Sequence, residues 1–394
     1  MSYDFNRWVP RVGTQSLKWS QLSAENPTDA NTNITLAIAE MDFPCSAEII
    51  TAISQRAAQG ILGYTLGNTS EYLDAVCSWL QRRYQILAKP EQIIYCRGAN
   101  LALDLVVRLF TAPGDGVIIQ PPVFQNFAGS VQRNGRVLVE NHLLCDAEGN
   151  FSMNLEELEQ QASDPANKLL LLCSPNNPTG TLWDETTLKH LGEICLQHGV
   201  KVVSDEVHQE IVRSQLTFHS LAAFFPESDQ IITIISLSKG FNLAGLQNSH
   251  LVVPSETDRE LLRGELGRSG PSPLEIAAAI AAYTQSDAWL DQVNAYIDDN
   301  VAFFEEFMTK RLPAVPFTKA QATYMVWIDL RSLGLEPEAL ITFLKEKAHL
   351  NLNNGASYGE AGKGFVRFNL ATPRFVLEEA LLRLQRAMGA SCEK

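Results

Sequence analysis

The segment Ser236-Leu237-Ser238-Lys239-Gly240-Phe241-Asn242-Leu243-Ala244-Gly245-Leu246 decides how this chain is read. It follows Gln230-Ile231-Ile232-Thr233-Ile234-Ile235, a short apolar, β-branched run with the character of a buried strand. Two hydroxyls and one lysine therefore stand just past a strand end, where an open α/β sheet presents its ligand site. A lysine there can hold an aldehyde as a Schiff base once its pKa falls well below the roughly 10.4 of a free side chain. Ser236 and Ser238 can donate to a phosphate beside it. A Ser-x-Ser-Lys tetrapeptide is also an ordinary surface turn, so the reading depends on what the other strand ends carry.

Two of them carry polar residues that an apolar sheet does not need. Lys168-Leu169-Leu170-Leu171-Leu172-Cys173 is an apolar strand that runs into the turn Ser174-Pro175-Asn176-Asn177-Pro178-Thr179-Gly180. Val200-Lys201-Val202-Val203-Ser204 is followed by Asp205-Glu206-Val207-His208. Upstream, Glu91–Cys96 reads as a strand turning at Arg97-Gly98-Ala99-Asn100 into a helix with Leu101, Leu105, Val106 and Leu109 on one face. That arrangement points backbone N–H groups at an anion, or is a plain βα loop. Strands alternating with helices at this spacing predict an α/β fold with a largely parallel sheet covered on both faces.

An acid at a strand end near a covalent lysine has one well-motivated use: holding a proton on a pyridine nitrogen, so that the ring becomes an electron sink for a carbanion at Cα. Asn177 could bond the ring's phenolic oxygen. Gly98, Ala99, Asn100, Ser236 and Ser238 would cradle a phosphate, and Phe124, in Pro121-Pro122-Val123-Phe124, would cover the ring. Taken singly, Asp205 could be a helix cap, Asn177 a turn former and Phe124 core. Together they fill every role in order.

Composition bounds the alternatives. The 394 residues allow two or three domains, and 45% hydrophobic with 19% charged residues describes a chain that buries a large core. A net charge of −14 argues against a nucleic-acid partner. The opening residues lack the apolar run of a signal peptide, and no stretch approaches the roughly 18 apolar residues of a membrane span. Seven scattered cysteines (Cys45, Cys77, Cys96, Cys145, Cys173, Cys195 and Cys392) without a Cys-x-x-Cys pair read as free thiols of a reducing cytoplasm. The histidines do not cluster as metal ligands, so no metal site is expected.

The expected organisation is an arm over residues 1–45 that also completes part of a small domain, a large domain over 46–289, and a small α+β domain over 290–394. The last contains helices at Asp287–Arg311, Pro337–His349 and Phe375–Met388 and strands at Thr323–Leu330 and Phe365–Leu370.

Asn-Asn-Pro-Thr-Gly (176–180), Ser-Asp-Glu-Val-His (204–208) and Ser-Leu-Ser-Lys (236–239) resemble the main motifs of the fold-type I pyridoxal-phosphate enzymes, the aminotransferase class I/II superfamily. Arg-x-Gly-Thr-x-Ser-x-Lys-Trp (11–19), Glu-Met-Asp-Phe (40–43) and Phe-Val-Arg-Phe-Asn-Leu-Ala-Thr-Pro-Arg (365–374) resemble its cystathionine β-lyase/C–S lyase branch. The resemblance spans about residues 3–388. It implies pyridoxal 5′-phosphate as cofactor, a mostly parallel sheet of the seven-stranded type, and a cytoplasmic homodimer acting on an amino acid. Lys239 would carry the cofactor and move the Cα proton, Asp205 would pair with the pyridinium, and Asn177 would contact the phenolic oxygen. His208 stands where many relatives have tyrosine. Arg367 would grip the α-carboxylate, and Tyr64 would reach the phosphate of the partner subunit.

Two residues depart from the pattern. Gln247 occupies a position where many superfamily members place a phosphate-binding arginine, a loss this branch commonly shares. Phe124 replaces the branch's usual tyrosine and takes away a candidate acid or base. The expected reaction is C–S β-elimination giving pyruvate, ammonia and a thiol. Transamination to a 2-oxo acid is the alternative, and a non-catalytic cofactor-binding regulator or scaffold is the reading from a different class.

Overall fold

The computed structural model describes residues 3–19, 26–30, 32–267 and 270–392. Its centre is a seven-stranded sheet built from β1 (Ile93–Arg97), β2 (Gly116–Ile119), β3 (Val137–Glu140), β4 (Asn167–Cys173), β5 (Lys201–Asp205), β6 (Ile231–Ser236) and β7 (Asn248–Val252), in the order β1-β7-β6-β5-β4-β2-β3. All neighbours are parallel except β7, which runs antiparallel between β1 and β6.

Side chains alternate across the strands, and the two faces bury different partners. Leu169, Leu171 and Cys173 join Val203, Ile232 and Ile234 against Leu103, Val106, Phe127 and Leu262. Leu170, Leu172 and Val202 face the other way, against Leu158, Leu188, Leu191 and Ile194. Apolar residues at every position from Leu169 to Cys173 of β4 follow from this: both of its faces are covered there.

The order of the sheet gathers the sequence signals. β4, β5 and β6 are adjacent, with Cys173 opposite Asp205 and Asp205 opposite Ile234. Asn177, Asp205 and Lys239 therefore follow three neighbouring strand ends. Because β7 is antiparallel, its first residue, Asn248, lies opposite Arg97, which brings Gln247 to the turn at Gly98.

A second sheet consists of β8 (Met325–Asp329), β9 (Asn353–Asn354) and β10 (Phe365–Asn369), with β10 in the middle. Arg367 sits in that central strand, opposite Trp327 on one side and Asn353 on the other. Ile34–Thr35 pairs in parallel with Leu350–Asn351, so the amino-terminal segment joins the carboxy-terminal part of the chain.

Helix and strand ends fall within a few residues of the expected ones. The sequence places a helix at Ser70–Tyr84 and the structure has it there. The expected strand Thr323–Leu330 is shortened to Met325–Asp329, since Thr323 takes a left-handed φ of 61°. The helix expected at Phe375–Met388 runs longer, Arg374–Cys392. Cys45, Cys77, Cys96, Cys145, Cys173 and Cys195 are free; the side chain of Cys392 lies outside the described residues. No helix among the described residues is long and apolar enough to cross a membrane.

The apolar piece Leu36–Ala39 forms no strand, and its continuation is fixed by a buried ion cluster. Asp42, 5% exposed, accepts from the buried Lys18 ammonium at 2.9 Å and from the Trp19 indole at 2.7 Å. Arg11 also pairs with Asp42 and reaches Glu40 at 2.6 Å. Removing one partner of such a cluster strands the other charge in a dry site, which costs about 3–5 kcal/mol. We predict that Asp42→Asn lowers stability by about 3 kcal/mol. A denaturant-unfolding midpoint within error of the parent would show that the cluster contributes nothing net.

Candidate active site

Residues 36–43 run between the Lys239 turn and β10, and their carbonyl groups are claimed one by one. Arg367 donates to Ala37 at 2.5 Å, and Asn369 donates to Ile38 and Glu40, each at 2.8 Å. Lys239 Nζ donates to the Ala39 carbonyl at 2.8 Å, and the Tyr324 hydroxyl donates to the same oxygen at 3.0 Å. Asn242, left-handed at φ 57°, donates to Met41 and Phe43 and accepts from the Met41 amide. Backbone without a ladder is tolerable in a buried place only when its polar groups find such partners.

Lys239 lies in the single-turn helix Leu237–Gly240 that caps β6. Burial brings its amine down to about 8, aided by the Arg367 guanidinium; Glu40 and Asp205 pull the other way. Asp205 is 5% exposed, and among the described residues its carboxylate receives one hydrogen bond, from Val207 N at 3.3 Å. Burial raises its carboxyl to about 7, and Val207 N and Lys239 moderate the rise. His208 is buried, its Nδ1 has no partner, and burial with the charges of Lys239 and Arg367 holds it far down, as neutral imidazole.

Asn177 lies in the turn after β4. Its side-chain oxygen accepts from Arg367 Nη1 at 3.0 Å, so its NH₂ remains the outward end. The turn closes at Gly180, whose φ of 70° and 3.0 Å approach to Ala320 and Ala322 leave no room for a side chain. The Arg367 guanidinium is buried, lies 5.4 Å from the Tyr358 ring centroid, and keeps Nε without an acceptor. A planar fork with a spare donor suits a carboxylate.

At the other end of the lysine turn, Gly98 precedes the helix Ala99–Phe110 with φ 86°, a conformation that glycine adopts freely. The first bond into that helix is Ala102 N to Gly98 O, which leaves the amides of Ala99 and Asn100 unclaimed by the helix. Ser236 Oγ donates to the Asn248 carbonyl at 2.7 Å and accepts from Ser238 N at 3.1 Å. Its one hydrogen is thus used inside the turn, and Ser238, 2.8 Å away and less buried, presents the freer hydroxyl. Phe124 is partly buried against the apolar core that covers one face of the sheet. Tyr64 is fully exposed, and no contact among the described residues brings it to the others.

Pyridoxal phosphate fits this set. A buried carboxyl with one weak hydrogen bond and no ion partner lacks the partner that a protonated ring nitrogen would be. A depressed amine stands near it for an aldehyde, and a helix amino terminus with a glycine entry stands near both for a phosphate.

The chain belongs to the aminotransferase class I and II family, whose model matches residues 31–384. It is 36% identical over 393 residues to cystathionine beta-lyase PatB of Bacillus subtilis, covering 98% of this chain and all of that one. Cystalysin from Treponema denticola, which contains pyridoxal 5′-phosphate, superimposes with a TM-score of 0.93 at 32% identity, over 99% of this chain and all of that one. The pyridoxal-phosphate-bound C–S lyase of Staphylococcus hominis gives 0.92 at 28% identity, over 98% of each chain.

Lys239, Asp205, Asn177, His208 and Arg367, named from the sequence, are brought together by the structure, whereas the arm's part among them was not named. Ala39 works through its backbone, which no side chain announces. Tyr324 lies before a strand with no motif around it. Arg11, Lys18 and Asp42 were visible only as a pattern resembling a family.

Asp205 supplies a pH test. Its folded pKa of about 7 lies above the unfolded value of about 3.9. The folded state then holds the proton more tightly, so this group's contribution to stability falls as pH rises from about 4 through 7. We predict that, in cofactor-free protein at pH 8, Asp205→Asn is more stable than the parent by about 1–4 kcal/mol. The gap should close by about pH 4. A mutant less stable at pH 8 would show that the buried carboxylate is paid for by contacts we have not identified.

Proposed function

We propose that this protein is a pyridoxal-phosphate-dependent C–S β-lyase. It would convert an L-amino acid bearing sulfur on Cβ, with one water, into pyruvate, ammonia and a thiol. The single observation that carries the reading is a depressed lysine amine, Lys239, held at three adjacent strand ends between a buried acid, Asp205, and a buried arginine, Arg367. The bound cofactor supplies an electron sink for the pair left at Cα when a proton is lost.

The chain's own residues do the rest. Lys239 holds the cofactor aldehyde and, once released, takes the Cα proton, a task suited to an amine poised near 8. Asp205 holds the ring nitrogen protonated by opposing its charge in a dry site. Asn177 offers its NH₂ to the phenolic oxygen while its carbonyl oxygen orients Arg367. Arg367 binds the α-carboxylate, which is common to all amino-acid substrates. Gly98, Ala99, Asn100, Ser238 and Ser236 form the phosphate cradle, with Ser236 acting through the turn that it braces. Phe124 covers the ring, and neutral His208 packs beneath the charged groups without adding a charge.

The segment around Tyr64 supports a homodimer. Ile61, Leu62, Tyr64 and Leu66 are all exposed. An apolar run of this kind on a monomer fits burial against a second copy, with Tyr64 delivered to the partner's phosphate cradle. A cytoplasmic location agrees with the free thiols.

Transamination is the second reading, and Phe124 is the observation that favours it. Phenylalanine offers no proton to a departing sulfur, whereas transamination, which would move a proton from Cα to the cofactor's aldehyde carbon, needs only Lys239.

The test is to incubate holoenzyme with cystathionine, cysteine and sulfur-free amino acids, with and without 2-oxoglutarate as amino acceptor, assaying pyruvate, ammonia, thiol and the 2-oxo acid of each substrate in parallel. Stoichiometric pyruvate, ammonia and thiol supports the lyase; a 2-oxo acid that keeps the substrate side chain overturns it in favour of transamination. In the same assay Arg367→Lys should raise KM about 10–100-fold, because one ammonium loses the second of two parallel hydrogen bonds, worth about 1.5–3 kcal/mol. The factor should be similar for all side chains. A loss confined to acidic substrates would put Arg367 in the side-chain pocket.

A further inference from the structure

The carbonyl of half-buried Ala39 holds two donors, and only one of them has other work to do. Lys239 Nζ lies 2.8 Å from this oxygen and Tyr324 Oη 3.0 Å from it. Tyr324 is fully buried, with its ring edge-on to His208 at 6.2 Å and close enough to Arg367 and Glu40 to feel their charges. Its backbone carbonyl accepts from Leu370 N at 2.7 Å, so β10 fixes it in place. Burial pushes its phenol up, which makes it a permanent donor.

We propose that Tyr324 is a positioning residue that holds the Ala39 carbonyl whenever Lys239 leaves it, so that releasing the lysine to react leaves this acceptor paired within the chain. The inference rests on the reading of Lys239 as the reacting amine. A half-buried carbonyl that loses its last donor bears part of the desolvation penalty of the group. With Tyr324 in place, Lys239 exchanges one of two bonds to that oxygen rather than the only one. Without it, the ammonium meets an acceptor with a free lone pair and is held there more firmly.

The neighbouring elements give the lysine no comparable alternative. Arg367 on β10 repels it, Asp205 on β5 and Glu40 on the arm attract it from a distance, and His208 is neutral. None of these supplies a donor to Ala39 O. Nor can the arm shift to relieve the loss, because Ala37, Ile38, Glu40, Met41 and Phe43 are each tied by a side chain.

The experiment compares the parent and Tyr324→Phe as full-length protein stripped of cofactor. Two ligands are titrated: pyridoxal 5′-phosphate, whose aldehyde must draw Lys239 away from Ala39, and pyridoxine 5′-phosphate, which has the same ring and phosphate but no aldehyde. The expected result is about a tenfold loss in the rate and affinity of aldehyde capture, with pyridoxine 5′-phosphate bound as by the parent. Equal losses for both ligands would mean that the substitution damages the pocket, and no loss for either would mean that Ala39 needs no second donor. Both outcomes overturn the proposal. Borohydride trapping and peptide mapping of the parent checks the underlying reading separately: a label on a lysine other than Lys239 refutes that assignment, whatever Tyr324→Phe does.

Discussion

The bond from Lys239 to the carbonyl of Ala39 is the contact on which the site depends. It joins the turn after β6 to residues 36–43, and the same short segment receives Arg367 and Asn369 from β10. Residues more than 120 apart in sequence thereby face one another. The lysine is kept out of bulk water, near an arginine that opposes its charge, and that lowers its amine. The ion cluster of Arg11, Lys18, Trp19 and Asp42 does its work at one remove, by fixing the backbone that carries the carbonyl.

The second constraint is the strand order. Placing β4, β5 and β6 side by side sets Asn177, Asp205 and Lys239 in a row, while the single antiparallel strand β7 returns the chain to Gly98. In the proposed reading, a cofactor with a ring nitrogen, a phenolic oxygen, an aldehyde and a phosphate would meet a different element of the chain at each group. A shift of one residue in the β5 register would turn Asp205 to the opposite face of the sheet. The burial of both faces of β4 and β5 is what prevents it.

Much of this was legible in the sequence, for identifiable reasons. β4 and β6 announce themselves as apolar runs, and a polar residue just past such a run has few places to go, so Asn177, Asp205 and Lys239 could be picked out before any contact was known. Arg367 was named only because the surrounding decapeptide resembles a family; its bond to Asn177 joins two sheets and has no local signal. Leu36–Ala39 was legible as apolar but not as a strapped, strandless segment, because its partners are side chains 200 or more residues away. Ser236 was read as a phosphate donor; in the structure its hydroxyl also has two acceptors within the chain, Ser238 Oγ and the carbonyl of Asn248, and sequence alone could not place the Asn248 strand beside it.

The central claim is that Lys239, lowered in this setting, removes the Cα proton of an amino acid held by Arg367. Cα–H exchange in D₂O followed by proton NMR tests it most directly, with holoenzyme and L-alanine, which has no group to eliminate. The account predicts that the Cα proton signal of L-alanine decays at a rate proportional to enzyme, and that Lys239→Ala abolishes the decay. Saturating binding of L-alanine with no exchange, or exchange that survives Lys239→Ala, would contradict it.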